Sequence, residues 1–497
     1  MWWFVLVLMV GAVRAGDGDD DDIQQAAAIL VNQGATPDPA GPIGPDEEFV
    51  KTLAQSMELY NIKKTSLNRQ GAKTDAFDET AYRAVVGPRS NISAPPESHK
   101  ALKKVSLEGD MILTPDQVNY ILTAPSTDDG DSDARRKREA QTNPKMMWNP
   151  SVPIPYYIDN SLAASRVVVN QAIQFWTQNT CLSFTYSTTT FNRLRIYKGS
   201  GCWSYVGKQA SWASQDVSIG VGCDNLGTVC HEIAHALGFY HTQSRSDRDS
   251  YISVNYGNIQ GSLQYNFQKL TTATEKHFGI KYDYGSVMQY DPYAFAVNYN
   301  VPTTIARDVN YQNMMGQRDG PSFSDVKQMN LLYNCAARCS RQPNCQNEGI
   351  VNSRTCNTCI CPRTFAGNDC SQLRKGSAPN CNGQVLQATS SYASFTATVG
   401  AGMTYKYTAS AVECYWHIRA PAGRRIQFQI TSLDTNCMES CNWAGFEVNT
   451  GDLNRAGMLV CCNSINRSAF TSIGNIITIR GMSRYNDANM VINFRAV

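Results

Sequence analysis

Cysteine is missing from everything before Cys181, although the chain has 17. No disulfide can brace that leading part, so any fold there rests on packing or on a partner surface. An excess of either charge is also missing, with 44 basic and 42 acidic residues. The net charge of +2 over 497 residues gives no electrostatic case for nucleic acid or an acidic membrane. Long apolar runs are scarce. The one pronounced run is Trp2–Val13, and about 12 residues are too few to cross a bilayer. No membrane span is therefore expected. Histidine is rare as well, with six in all, and this scarcity is what makes its distribution informative.

Three of the six fall in HEIAHALGFYH, residues 231–241. His231 and His235 are one helical turn apart and share a face, so both can hold one metal ion. Glu232 lies too close along that helix to be a convenient third ligand, but it is well placed to reach a water on the metal. Gly238 permits positive φ, which lets the chain leave the helix and bring His241 back as the third ligand. Three neutral imidazoles with one open position make a catalytic zinc site, with one Zn2+ per chain. An ordinary amphipathic helix with chance histidines does not account for all five fixed positions.

The HExxHxxGxxH pattern resembles the metzincin proteases, which place a methionine-bearing turn beneath the metal. SVMQY at 286–290 supplies Met288 as floor and Tyr290 near the metal. Together with RSDRD at 245–249, these residues are similar to the astacin family over roughly Trp148 to Cys335. The resemblance implies that Glu232 is the general base and that the Tyr290 hydroxyl assists the oxyanion. It pairs Cys181 with Cys335 and Cys202 with Cys223, leaving Cys230 as a buried, unpaired thiol. It also makes Gln215–Gly220 the sheet edge that grips extended substrate. One departure is visible: astacins usually carry Glu after the third histidine to anchor the matured amino terminus, and here that residue is Thr242.

Upstream, Trp2–Val13 followed by small residues resembles a signal peptide cleaved after Ala15, which implies secretion. RRKR at 135–138, after the acidic run DDGDSD, reads as a proprotein convertase site ending at Arg138; the plain alternative is a solvated loop. Residues 16–138 would then be a propeptide. Within it, SLEGDMIL at 106–113 resembles the astacin switch segment, which implies Asp110 as the carboxylate that blocks zinc in the zymogen. Leu107 stands where the family commonly has Phe. Asn91 and Asn466 head glycosylation sequons.

Within residues 139–336, Ser161 is expected to cap a helix carrying Val168, Ala172 and Phe175. RLRIY at 193–197 and QDVSIGVGC at 215–223 read as strands. Six cysteines between Cys339 and Cys370 resemble an EGF-like module over 337–371, with 371–380 as linker; six allow 15 pairings, so connectivity stays open. From Cys381 to Val497, alternating runs such as RIQFQI argue an all-β sandwich, and CYWHI at 414–418 resembles a CUB domain. Ala444 stands where many CUB domains place a calcium-binding aspartate.

The expected fold is α+β: a two-lobed metzincin catalytic domain with a zinc helix, then a small disulfide-rich EGF-like module and an all-β CUB sandwich. The expected function is a secreted zinc endopeptidase acting on extracellular proteins, with collagenous matrix as a family-implied target. The alternative is a non-catalytic matrix-binding protein with a dead protease fold, which loss of Glu232 or of a ligand histidine would favour; all are present.

Overall fold

The computed structural model describes residues 52–57, 106–123 and 144–497, apart from 273, 378–380, 382, 401, 403–407, 409, 437–440, 442 and 463–465. The expected leader, most of the propeptide, Asn91 and the RRKR site ending at Arg138 lie outside the described residues.

The catalytic unit is built on a six-stranded sheet of order β1-β5-β6-β4-β2-β3, made by Met111–Ile112 (β1), Ile154–Ile158 (β2), Phe184–Tyr186 (β3), Arg193–Tyr197 (β4), Cys202–Tyr205 (β5) and Ser214–Ile219 (β6). Two helices pack on one face. They are α2 (Arg166–Asn179), after the short prosegment helix α1 (Pro115–Thr123), and α3 (Leu226–Ala236). Their apolar stripes meet Leu194, Ile196, Val217 and Ile219 in one core. The α2 stripe is Val169, Ala172, Ile173 and Trp176, so the buried face is turned relative to the expected Val168/Phe175 pairing. The expected cap is also displaced. Ser161 sits in a preceding 3-10 turn, where its Oγ accepts from Lys198 N at 3.1 Å, and Ser165 precedes the helix.

The second half of the unit carries little regular structure: a two-stranded ribbon, Ile252–Val254 (β7) with Thr304–Ala306 (β8), several 3-10 turns, and helix α4 (Phe323–Leu332). Ser322 and Asp325 close a capping box at the α4 N-terminus, each satisfying the other's backbone N–H. This half is held to the sheet half by Cys181–Cys335, bonded across 154 residues. Cys202 bonds Cys223, and Cys230 is free and buried.

The cysteine-rich segment holds bonds 339–356, 345–359 and 361–370 around two small ribbons. They pair β9 (Ile350–Val351) with β10 (Cys359–Ile360) and β11 (Phe365–Ala366) with β12 (Gln372–Leu373). The expected linker is thus partly strand, because Gln372 and Leu373 return to pair with 365–366.

The C-terminal unit is a sandwich of two sheets. One, of order β13-β15-β20-β17-β18, comprises Val385–Gln387, Val412–Arg419, Ile476–Ser483, Ala444–Asn449 and Met458–Val460. The other, β14-β21-β16-β19, comprises Ala393–Val399, Ala488–Ala496, Ile426–Asp434 and Phe470–Thr471. Strict in–out alternation along β21 places Met490, Ile492 and Phe494 in the core with Trp416 and Phe428. Cys381–Cys414 and Cys441–Cys461 brace it. Ala444, standing where many CUB domains place a calcium-binding aspartate, is fully buried.

The first sheet docks on the catalytic unit. Asp319 bridges Arg480 at 3.2 Å and Arg484 at 3.1 Å, and Arg480 also meets Glu413 and Glu447. Burial opposes ionisation of Asp319, but Arg480, Arg363 and Arg484 outweigh it and hold its pKa at about 2; Arg480 and Arg363 hold Glu413 likewise at about 2. Both values lie below those of an unfolded chain, so the stabilisation is present above those ordinary values and is lost as pH falls through the folded ones. The docking should therefore weaken as pH falls from about 4 to about 2. Small-angle scattering across that range should show the sandwich swinging free, and Asp319→Asn should bring on the same change at higher pH. An unchanged envelope in both experiments would refute the role of this cluster.

Candidate metal centre and active site

Helix α3 begins at Asn225, whose side chain accepts from Thr228 N at 2.9 Å, and ends where Gly238 takes φ +102. That left-handed residue turns the chain so that Phe239 O accepts from His235 Nδ1 at 2.8 Å and His241 comes back over the helix. His231 Nδ1 donates to Val287 O at 2.7 Å. Both carbonyls can only accept, so both imidazoles carry their proton on Nδ1 and present bare Nε2 atoms. Those two atoms face each other at 3.0 Å, and His241 Nε2 lies 3.2 Å from that of His231. Lone pairs at that distance repel unless a cation lies between them. A tetrahedral zinc site with Zn–N bonds of about 2.0–2.1 Å puts ligand nitrogens roughly 3.3 Å apart. The donor set fits zinc. Burial lowers the pKa of His231 to about 4 and holds that of His235 well below its ordinary value, which keeps both neutral as ligands should be.

Met288 is buried under the cluster, on a turn fixed by Asp325. One carboxylate oxygen accepts from Ser286 Oγ at 2.6 Å and the other from Val287 N at 2.8 Å. Thr242, in the place of the family's usual glutamate, is tied into this same turn: its N donates to Met288 O at 3.0 Å and its Oγ1 to Ser286 Oγ at 2.9 Å. Neither Asp325 nor the neighbouring Asp283, whose charge opposes its ionisation, is singled out by the sequence. An acidic N3 residue after Ser322 signals only a helix cap.

The prosegment occupies the cleft. Gly109, at φ +84, turns the chain against Phe295 and aims Asp110 into the histidines. The Asp110 carboxylate lies 3.2 Å from His241 Nε2 and 3.3 Å from His231 Nε2, and the four side chains offer ligand atoms within 4.8 Å of one another. Glu108 was also missed from sequence. Its carboxylate accepts from His241 Nδ1 at 2.8 Å, Gln243 Nε2 at 3.2 Å and Ser244 Oγ at 2.5 Å, and its carbonyl accepts from the Tyr290 hydroxyl. Glu232 is buried, one carboxyl oxygen has no partner, and burial followed by the nearby Asp110 raises its pKa well above the usual range. Arg318, unremarked in the sequence, is the cation that counters this.

Gln215–Gly220 is not the sheet edge. β6 is flanked by β4 and β5, because the chain from 202 to 219 folds back as a hairpin-like pair. The edge of the catalytic sheet proper is β5, and β1 of the prosegment adds to it in parallel, Met111 opposite Ser204 and Ile112 opposite Tyr205. Leu107, Met111, Val118 and Ile121 pack there on Trp203, Tyr205 and Tyr240. Asn466 lies at the boundary between units; its Nδ2 donates to Asn310 Oδ1 at 3.1 Å.

A family model described as Astacin (Peptidase family M12A) matches residues 140–334, and a CUB domain model matches 381–491. Zinc metalloproteinase nas-28 of Caenorhabditis elegans is 44% identical over 416 residues, 83% of this chain and 83% of its own length. The chain belongs to the astacin family. Zinc metalloproteinase nas-31 of the same organism is 34% identical over 457 residues, covering 89% of this chain and 72% of its own. Among solved structures, High choriolytic enzyme 1 of Oryzias latipes shares 34% identity over 38% of this chain and 95% of its own, with a TM-score of 0.35. This astacin is a zinc metalloendopeptidase with a CUB domain and many disulfides, and zinc is its metal. No helix among the described residues is long and apolar enough to cross a membrane.

Because the bare nitrogens repel without a cation, chelation should cost stability as well as activity. Removing zinc should lower the melting temperature, and His235→Ala should bind less than a tenth of a zinc equivalent by elemental analysis, the loss of about one ligand's worth of affinity or more. A stoichiometric His235→Ala protein would place the metal elsewhere.

Proposed function

We propose that this astacin is a secreted endopeptidase of extracellular proteins, made as a zymogen in which Asp110 is the zinc-blocking switch. The single observation that carries this reading is the Asp110 carboxylate standing among His231, His235 and His241. Burial opposes its ionisation, but the His241 and His231 imidazoles outweigh that and hold its pKa well below the ordinary carboxylate range. An ionised Asp110 suits a ligand's role, and its place among the imidazoles is the one a reacting water needs. Cleavage after Arg138 by a proprotein convertase would free the segment. The cysteine-rich part, read as EGF-like over 337–371, and the CUB unit over 381–497 would set the enzyme on its substrate, with collagenous matrix a candidate. Asn91 and Asn466 are the proposed glycan sites; a glycan on Asn466 must displace its bond to Asn310.

When bound, zinc supplies a Lewis acid that polarises the scissile carbonyl and acidifies water. Glu232 takes the proton from the attacking water and returns it to the leaving amine. Burial raises its pKa above the ordinary carboxylate range, which favours its holding the proton between the two transfers. The Tyr290 hydroxyl, held by Glu108 O in the precursor, becomes free to donate to the developing oxyanion once the prosegment leaves.

Glu232→Gln should keep zinc and lose about 10²–10⁴ in turnover. Tyr290→Phe should lose roughly 10²-fold in kcat with zinc content unchanged. Asp110→Ala should make the uncleaved precursor active, and replacing RRKR by alanines should block maturation. An active precursor with Asp110 intact would end the switch reading.

A further inference from the structure

The C-terminal sandwich shows its two sheets to different surroundings. The β15-bearing sheet faces the catalytic unit through Arg480 and the cysteine-rich segment through His417, whose Nε2 bonds Thr364 O at 3.2 Å. Among the described residues, neither the catalytic unit nor the cysteine-rich segment bonds the outward side chains of β21 and β16 on the other sheet, β14-β21-β16-β19; the Arg467 carbonyl accepts from Gln429 there. The outward positions alternate with buried ones along β21 and β16, and they carry hydroxyls, amides, one valine and arginine. Among the described residues of these strands, no acidic side chain stands outward until Asp434, at the far end beyond the bulge after Ile430.

At the near end the side chains form an ordered group. Tyr392 is 56% exposed, and Arg495 lies over its ring at 4.6 Å. Gln427 Oε1 fixes both, accepting from the Tyr392 hydroxyl at 2.9 Å and from Arg495 Nε at 2.9 Å. That leaves the Arg495 Nη groups to point outward in a set geometry. Arg424 joins them, with Nη2 on Ala496 O, one residue along from Arg495. Gln429 continues the row with its amide on the Arg467 carbonyl, while Asn493 Oδ1, opposite it on the next strand, is buried and has no hydrogen-bond partner among the described residues. Among the described residues Arg424 and Arg495 form no ion pair.

We propose that this face binds anionic polysaccharide, a chain of sugar rings bearing sulfate or carboxylate groups. Three features select that occupant. Arginines held in place without counter-charges match sulfate or carboxylate by charge and by fork geometry. A flat row of amides and hydroxyls matches the many hydroxyls of a sugar chain and, with Val491 its one aliphatic side chain along β21, offers little to an apolar partner. The open side of the Tyr392 ring is a stacking surface for a sugar's C–H face. Neither the metal centre nor the cleft takes part, so the surface would tether the enzyme independently of its chemistry.

The test uses the full-length chain over immobilised heparin, with unsulfated dextran and phosphatidylserine vesicles in parallel. Binding to heparin should weaken with salt, as for any contact built on counter-charges. Arg495→Gln and Arg424→Gln should each weaken it about tenfold, the worth of one charge-assisted contact. Tyr392→Ser should weaken it too. Arg341→Gln, an exposed arginine in the cysteine-rich segment, should not. Thr396→Glu places an acid at an exposed position of β14 without removing a native contact, and it should abolish binding should the arginine variants fold poorly. Hydrolysis of a short peptide should be unchanged throughout. Three outcomes overturn the proposal: no retention on heparin, equal weakening by Arg341→Gln, or binding to vesicles alone.

Discussion

Two imidazole nitrogens that can only accept meet at 3.0 Å, and the catalytic unit is arranged to hold them in that unfavourable approach. Val287 O and Phe239 O fix the tautomers, so repulsion between the bare nitrogens is built in. A metal cation held between them relieves it. The turn through Met288 sets where Val287 O stands, and Asp325 sets the turn. The metal site is thus the last link of a hydrogen-bonded scaffold that begins at the capping box of α4.

The same scaffold reaches the C-terminal unit. Asp283 accepts from Ala456 N at 2.9 Å with one oxygen and from Ser324 Oγ at 2.6 Å with the other. Ser324 lies beside Asp325 in the capping box. The sandwich therefore touches the scaffold two hydrogen-bonded residues from the turn under the metal. With the Asp319 cluster, this makes the CUB unit a wall of the catalytic body.

The chemistry of the centre was legible in the sequence because HExxHxxGxxH packs its demands into 11 consecutive residues. Local spacing decides which side chains share a helix face, and Gly238 announces the exit. Strand order was harder. The edge role assigned to Gln215–Gly220 fell to β5, because pairing partners are set by how the chain returns, which no local pattern in 202–219 records. The α2 face was misjudged by one position for a related reason: Val168 and Val169 are equally apolar, and only the neighbouring sheet chooses between them. Glu108 and Asp325 act through partners 38 to 182 residues away, and Arg318 through the distant Glu232; single-chain spacing carries no sign of that.

Cys181–Cys335 has a consequence for the enzyme's life among other proteases. The ring it closes contains all three histidines, Glu232 and the turn through Met288. A single nick anywhere in its loops, by a neighbour or by the enzyme itself, leaves both fragments joined through sulfur. The pieces cannot diffuse apart, so a scarred molecule can keep its metal and go on working until the bond is reduced.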